Sequence, residues 1–444
     1  MRKKIMKRNI DDDLLAWAKE KNERKPLLLR GMRQVGKTTA VRRLGKHFKY
    51  FIEVNFETDA AARDLFENKK LSPQELADRL SAIYGVAVIA KKTLLFFDEI
   101  QVSLRAIISL RYFYEQYPEL HVVAASSFLE FDLKELSSFG AGRIDFMYMY
   151  PMNFIEFLSA RGRDNLVREI ENANCKTSLI KPTHDLIIEQ FRMFLILGGM
   201  PQVVHAFTSG ASLGECQKIL DALIGTFRED FANYRKKFPV SQISAVFDSV
   251  AAQTGKKFIF SDVSPKYAHN QLKKALNFLI ISGLVIPVTQ TSANALPLSS
   301  EINPKNRKMF LADTGIFQRL SGISLKDILV YNDFETINSG NIAELFAALE
   351  LLKAGPSNIQ KNLYYWHRES RSSNAEVDFV LESGQNVIPV EVKRNSKGSM
   401  QSMRLFLEEK KSPFGIRTSQ ENFSQTQDIK VIPLYAIGLA GEDK

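Results

Sequence analysis

The stretch from Lys25 to Thr39, KPLLLRGMRQVGKTT, constrains this chain most. A short apolar run enters a loop bracketed by two glycines, and a helix-forming segment leaves it. Gly31 to Thr38 satisfies G-x-x-x-x-G-K-[ST] at every fixed position, with Leu27-Leu28-Leu29 before it and Ala40-Val41-Arg42-Arg43-Leu44 after it. Gly31 and Gly36 permit a tight turn whose N–H groups point inward, at a helix N-terminus whose dipole favours an anion. The expected phosphate cradle comprises Gly31, Arg33, Gln34, Val35, Gly36, Lys37, Thr38 and Thr39. Lys37 is expected to reach the outer phosphates, and the Thr38 hydroxyl to ligate Mg²⁺.

A second stretch, Thr93-Leu94-Leu95-Phe96-Phe97-Asp98-Glu99, runs apolar into two acids. A strand covered on both faces needs such an uninterrupted run, and ligands in open α/β sheets gather at the strands' carboxyl ends. Asp98 is therefore expected at Mg²⁺ and Glu99 beside the attacking water, a Walker B arrangement. The strand His121-Val122-Val123-Ala124-Ala125 ends in Ser126-Ser127, where a γ-phosphate sensor would stand, although serines there are equally ordinary turn residues. Arg143 follows Gly142 and is expected either to stabilise phosphoryl charge, in cis or across a subunit boundary, or to be solvated.

A length of 444 residues exceeds one domain core, and 45% hydrophobic with 25% charged residues excludes a disordered class. Sixty basic against 50 acidic residues gives +10. That excess fits a DNA or RNA partner and fits a merely basic protein equally well, because no single block carries it. Two cysteines, Cys175 and Cys216, exclude a disulfide framework and a Cys-only zinc site, which points to the cytoplasm. Met1-Arg2-Lys3-Lys4 runs into Asp11-Asp12-Asp13 without an apolar segment, and Leu276–Val288, interrupted by Ser282-Gly283, is too short for a membrane helix. No membrane partner is expected.

Strand and helix alternate from Tyr50-Phe51-Ile52-Glu53-Val54-Asn55 through Leu71–Tyr84 to Leu104–Tyr117, predicting a parallel sheet. Helical spacing dominates 152–234, broken at Gly198-Gly199-Met200-Pro201. Helices over 240–254 and 271–281, then strands 284–288 and 308–311, suggest a winged helix with Lys266, Lys273 and Lys274 on its flank. A packing module with solvated lysines explains the same pattern. Towards the C-terminus, an apolar helix over 341–353 carries Glu344, and neighbouring strands carry Asp378 and Glu391-x-Lys393. Two such strands supply what a metal-dependent phosphodiesterase requires, with Asp378 and Glu391 as metal ligands. Two solvated acids and a salt-bridged lysine are the alternative. His184 and His367 lack metal-ligand spacing.

This order of motifs, together with Tyr150-Pro151-Met152-Asn153-Phe154, Gly198-Gly199-Met200-Pro201 and Lys308-Met309-Phe310-Leu311-Ala312-Asp313-Thr314-Gly315, resembles the AAA+-type ATPases of bacteria and archaea. The similarity is to those with a C-terminal domain of unknown function and a restriction-endonuclease-like fold. One departure is Ala124-Ala125 where that family more often has Thr-Gly. The resemblance implies an α/β chain: an AAA+ P-loop domain over 1–158, a helical lid over 159–238, a winged helix over 239–325 and a PD-(D/E)XK nuclease-like domain over 326–444. It implies ATP and Mg²⁺ as ligands, homo-oligomers, and Arg192 or Arg228 as second-sensor candidates. In the nuclease-like pattern Glu344 is the helix carboxylate, Lys393 the active lysine and Gln401 an accessory residue. Three functions follow: an ATPase acting on or near nucleic acid, a nucleotide-regulated nuclease, or a non-catalytic DNA-binding switch.

Overall fold

The computed structural model describes residues 6–20, 24–68, 71–126, 142–233, 239–323, 339–368, 375–393 and 400–440; Ser127 and the expected boundary at 325 lie outside them. The chain forms two compact units, one of residues 7–150 with 355–360, the other of residues 151–354 with 361–444 and Met1–Met6.

The first unit runs α1 Asn9–Lys19, β1 Leu27–Arg30, α2 Lys37–Gly45, β2 Tyr50–Asn55, α3 Ala60–Glu67, α4 Pro73–Tyr84, β3 Thr93–Asp98, α5 Leu104–Gln116, β4 His121–Ser126 and β5 Asp145–Tyr148. Its five strands are parallel, in the order β2-β3-β4-β1-β5. β3 and β4 are buried along their whole length, because helices cover both faces. On one face Phe97 of β3 packs with Phe66 of α3, Leu76 and Leu80 of α4, and Leu110 and Phe113 of α5. On the other, α2 lies against β3 and β4. Helix starts follow side-chain chemistry: Ser72 and Glu75 form a reciprocal cap on α4, and Asp59 caps α3 through the Ala62 N–H.

The second unit begins with five helices, α6 Phe154–Ala160, α7 Asp164–Asn172, α8 Lys181–Leu197, α9 Pro201–Thr208 and α10 Leu213–Asn233. Then come α11 Val240–Ala252, α12 His269–Ile281, the hairpin β6 Val285–Thr291 and β7 Ile302–Leu311, α13 Thr314–Leu320 and α14 Ser339–Lys353. The chain continues through β8 Leu363–His367, β9 Glu376–Ser383, β10 Asn386–Val392, α15 Gln401–Lys410, β11 Gly415–Ser419, β12 Ser424–Thr426 and β13 Ile429–Pro433. The expected hairpin forms, and it also continues the C-terminal sheet: β6 pairs β8 in parallel, making eight strands in the order β12-β13-β11-β10-β9-β8-β6-β7. Among the described residues no helix is long and apolar enough to cross a membrane.

Three of the recognised segments form one joint. The Met152 N–H donates to the Gly199 carbonyl (2.7 Å), while Asp313 accepts the N–H of Gly199 (2.6 Å) and of Ile316 (3.1 Å). A β-carbon on Gly199 would overlap the Met152 carbonyl, which is backbone and has nowhere to retreat. Gly199→Ala is therefore predicted to destabilise the protein by ~1–3 kcal/mol through overpacking, measured by denaturant unfolding; an unchanged midpoint would contradict the joint.

Candidate nucleotide site and C-terminal carboxylate cluster

β1 delivers the chain at Arg30 to the carboxyl edge of the sheet, where the loop to α2 turns back. A side chain on Gly31 would overlap the Met149 carbonyl, and Gly36 holds φ at 97°, so both glycines are dictated by backbone. Gln34 also adopts a left-handed φ of 66° inside the loop. Lys37, only 6% exposed, curls into this turn and donates to the carbonyls of Gly31 (2.8 Å) and Met32 (3.0 Å). Burial pulls its pKa down to about 8, with Glu99 and Asp98 opposing and Arg33 adding to the fall.

The Thr38 hydroxyl, in the first turn of α2, donates to Asp98 Oδ2 at the end of β3 (2.9 Å). Glu99 follows with φ 49°, and its N–H donates to Asp98 Oδ1 (3.1 Å). Burial raises the Asp98 pKa, and the Glu99 charge adds to the rise; the Thr38 and Glu99 donors oppose it. Gln101 donates its amide to Glu99. A hydroxyl oxygen and a carboxylate oxygen brought to one point, beside a buried amine, are donors that suit Mg²⁺ and a phosphate. The expected set of Lys37, Thr38, Asp98 and Glu99 is thus brought together.

Ser126 ends β4 opposite Arg30, buried, its hydroxyl without a partner among the described residues. Arg33 faces Glu57 at 3.8 Å. Arg143 pairs with Glu115 (2.6 Å), which also takes Arg111. In the second unit Arg228 pairs with Asp248, and Arg192 lies in α8. His184 is held between the Tyr435 hydroxyl and the Gln420 carbonyl.

Arg8 was not legible as a site residue, because a lone arginine in a basic leader carries no signal. It is buried, and its guanidinium donates to the carbonyls of Val35 (3.1 Å) and Tyr150 (2.7 Å), so it braces the loop from behind.

In the second unit Glu344, Glu376 and Asp378 converge on the amine of Lys308, a β7 residue only 2% exposed. The separations are 2.8, 2.6 and 3.8 Å. Burial alone would lower the lysine's pKa, but the three carboxylates overturn it and keep the amine charged. Burial lifts Glu344 to about 8 against the opposing pull of Lys308. Asp378 also accepts the Val392 N–H (2.8 Å), and Lys393 pairs with Glu391, whose Oε2 has no partner among the described residues. Among those residues no group of three or more His, Cys, Asp or Glu is arranged to hold a metal, so Asp378, Glu391 and Glu344 do not fit a divalent ion as they stand. Gln401 opens α15.

Arg8→Ala is predicted to lower stability by ~1–3 kcal/mol by orphaning the buried Val35 carbonyl and the partly buried Tyr150 carbonyl, and to weaken ATP binding by isothermal titration. Retention of both would remove Arg8 as the brace.

Residues 23–158 match the model of the AAA domain, residues 188–327 a domain of unknown function (DUF8612) and residues 339–437 another (DUF4143). No curated protein matches the chain by sequence. Among solved structures, PCH-2 of C. elegans is 15% identical, with 49% of this chain covering 61% of that one at a TM-score of 0.27. Cdc6p of Pyrobaculum aerophilum is 14% identical, with 72% of this chain covering 92% at 0.24. The ORC2 protein of Aeropyrum pernix, in its ADP form, is 13% identical, with 72% covering 91% at 0.29. The chain carries an AAA domain over residues 23–158.

Proposed function

We propose that this protein is a Mg²⁺-dependent ATPase. The observation that carries the reading is the hydrogen bond from Thr38 to Asp98, which joins the phosphate loop to the end of β3. Lys37 holds the β- and γ-phosphate oxygens. Thr38 and Asp98 hold Mg²⁺, which neutralises charge on those oxygens. Glu99 polarises the attacking water, with Gln101 positioning its carboxylate. Ser126, Ser127 and Arg143 are proposed to sense or stabilise the γ-phosphate.

Hydrolysis is proposed to drive residues 159–444, read as a lid over 159–238, a winged helix over 239–325 and a nuclease-like domain over 326–444. The work is proposed to be done on or near nucleic acid, in the cytoplasm, by a homo-oligomer. Lys266, Lys273 and Lys274 are all exposed around the start of α12, whose Leu272, Leu276 and Leu279 are buried, which supports a basic outward flank. A nuclease reading of the C-terminal sheet stands second. It is favoured by the closeness of Asp378 to Val392, next to Glu391, and opposed by the ammonium groups already seated there.

The test is phosphate release by the purified protein with ATP and Mg²⁺. Glu99→Gln should lose about 100-fold or more of the rate while still binding ATP, the usual effect of deleting a general base. Lys37→Ala should lose binding and turnover together. Wild-type turnover by both variants would overturn the reading.

A further inference from the structure

A lysine 98% hidden from water is rare, because an unpaired ammonium in a protein interior is strongly disfavoured. Lys308 meets that requirement with carboxylates from two other elements. Glu344 comes from α14, and Glu376 and Asp378 from β9, with the Tyr365 ring of β8 at 5.3 Å completing the enclosure. The other oxygen of Glu344 lies near Gly255, where an added β-carbon would come within 3.0 Å of Oε2. The amine thus sits where oxygen ligands from a helix and a strand converge. Its contacts of 2.6 and 2.8 Å lie at or just beyond the upper end of the ~2.0–2.6 Å at which Mg²⁺ or Ca²⁺ holds oxygen. A second ammonium, Lys393, is seated on Glu391.

We propose that Lys308 is the resident cation of this cluster, a side chain of the protein standing where a divalent metal would otherwise stand. The C-terminal sheet then holds these clustered carboxylates without metal, and the cluster is a latent divalent-cation site closed by one amine. The charge count agrees. Even with Glu344 holding a proton, two carboxylates around one ammonium leave a negative excess, which a divalent ion would neutralise better than a lysine does. The proposal is independent of ATP hydrolysis, since every group belongs to the second unit.

The experiment is Mn²⁺ titration of the full-length, nucleotide-free protein, followed by electron paramagnetic resonance of free Mn²⁺ and by the thermal midpoint. Each protein is compared with its own Asp378→Asn partner, so that binding at the phosphate loop cancels. Wild type should show no Asp378-dependent Mn²⁺ binding. Lys308→Ala should gain one Mn²⁺ equivalent and lose it on adding Asp378→Asn. Lys308→Gln, which keeps most of the side-chain volume, should show the same gain and serves if the alanine variant does not fold. Asp378-dependent Mn²⁺ binding by wild type would overturn the proposal whatever the variants do. So would folded Lys308 variants that bind no more Mn²⁺ than wild type.

Discussion

The hydrogen bond between Thr38 and Asp98 forms because the sheet brings its two ends together. Parallel pairing of β2 with β3 and of β3 with β4 brings all the carboxyl ends to one edge, and β1 enters beside β4 in the same direction. The helix after the loop must then cross that edge, and its first turn arrives where β3 releases its acid. Mixed strand directions would scatter Lys37, Thr38 and Asp98 over opposite edges. Burial at this edge has a further consequence: it lifts the pKa of Asp98 and lowers that of Lys37, so both groups are poised to be rebalanced by a charged ligand.

The two units treat buried charge differently. At the phosphate loop a buried amine is satisfied by two backbone carbonyls, contacts that a phosphate can replace. In the C-terminal sheet a buried amine is satisfied by acidic side chains from a helix and a strand, contacts strong enough to hold it charged against burial. An amine that rests on neutral carbonyls is ready for an anion. One that rests on carboxylates already has its counter-ions, and the difference separates a binding site from a closed cluster.

Much of the first unit was legible because its chemistry is local. G-x-x-x-x-G-K-[ST] and the apolar run into Asp98-Glu99 each lie within eight residues, and strands and helices alternated as the pattern predicted. β5 and Arg8 were not read, since a four-residue edge strand and a single arginine act only through distant partners. In the second unit the helices, the hairpin and the strands bearing Asp378 and Glu391 were legible. The union of that hairpin with the C-terminal sheet was not. It depends on the pairing of Val288 with Leu363, 75 residues apart, and with it went the arrival of Lys308 among the acids. Periodicity reports which residues are buried; it does not report which buried lysine meets which carboxylate.

The central claim is that Thr38 and Asp98 act as one Mg²⁺ ligand pair at an ATP site. Its most direct test is a double-mutant cycle on the Mg²⁺ dependence of binding of a non-hydrolysable ATP analogue, with Thr38→Val, Asp98→Asn and both together. The account predicts that each single change removes most of the Mg²⁺ enhancement and that the double variant is no worse than either. Full enhancement in the single variants, or losses that simply add, would contradict it.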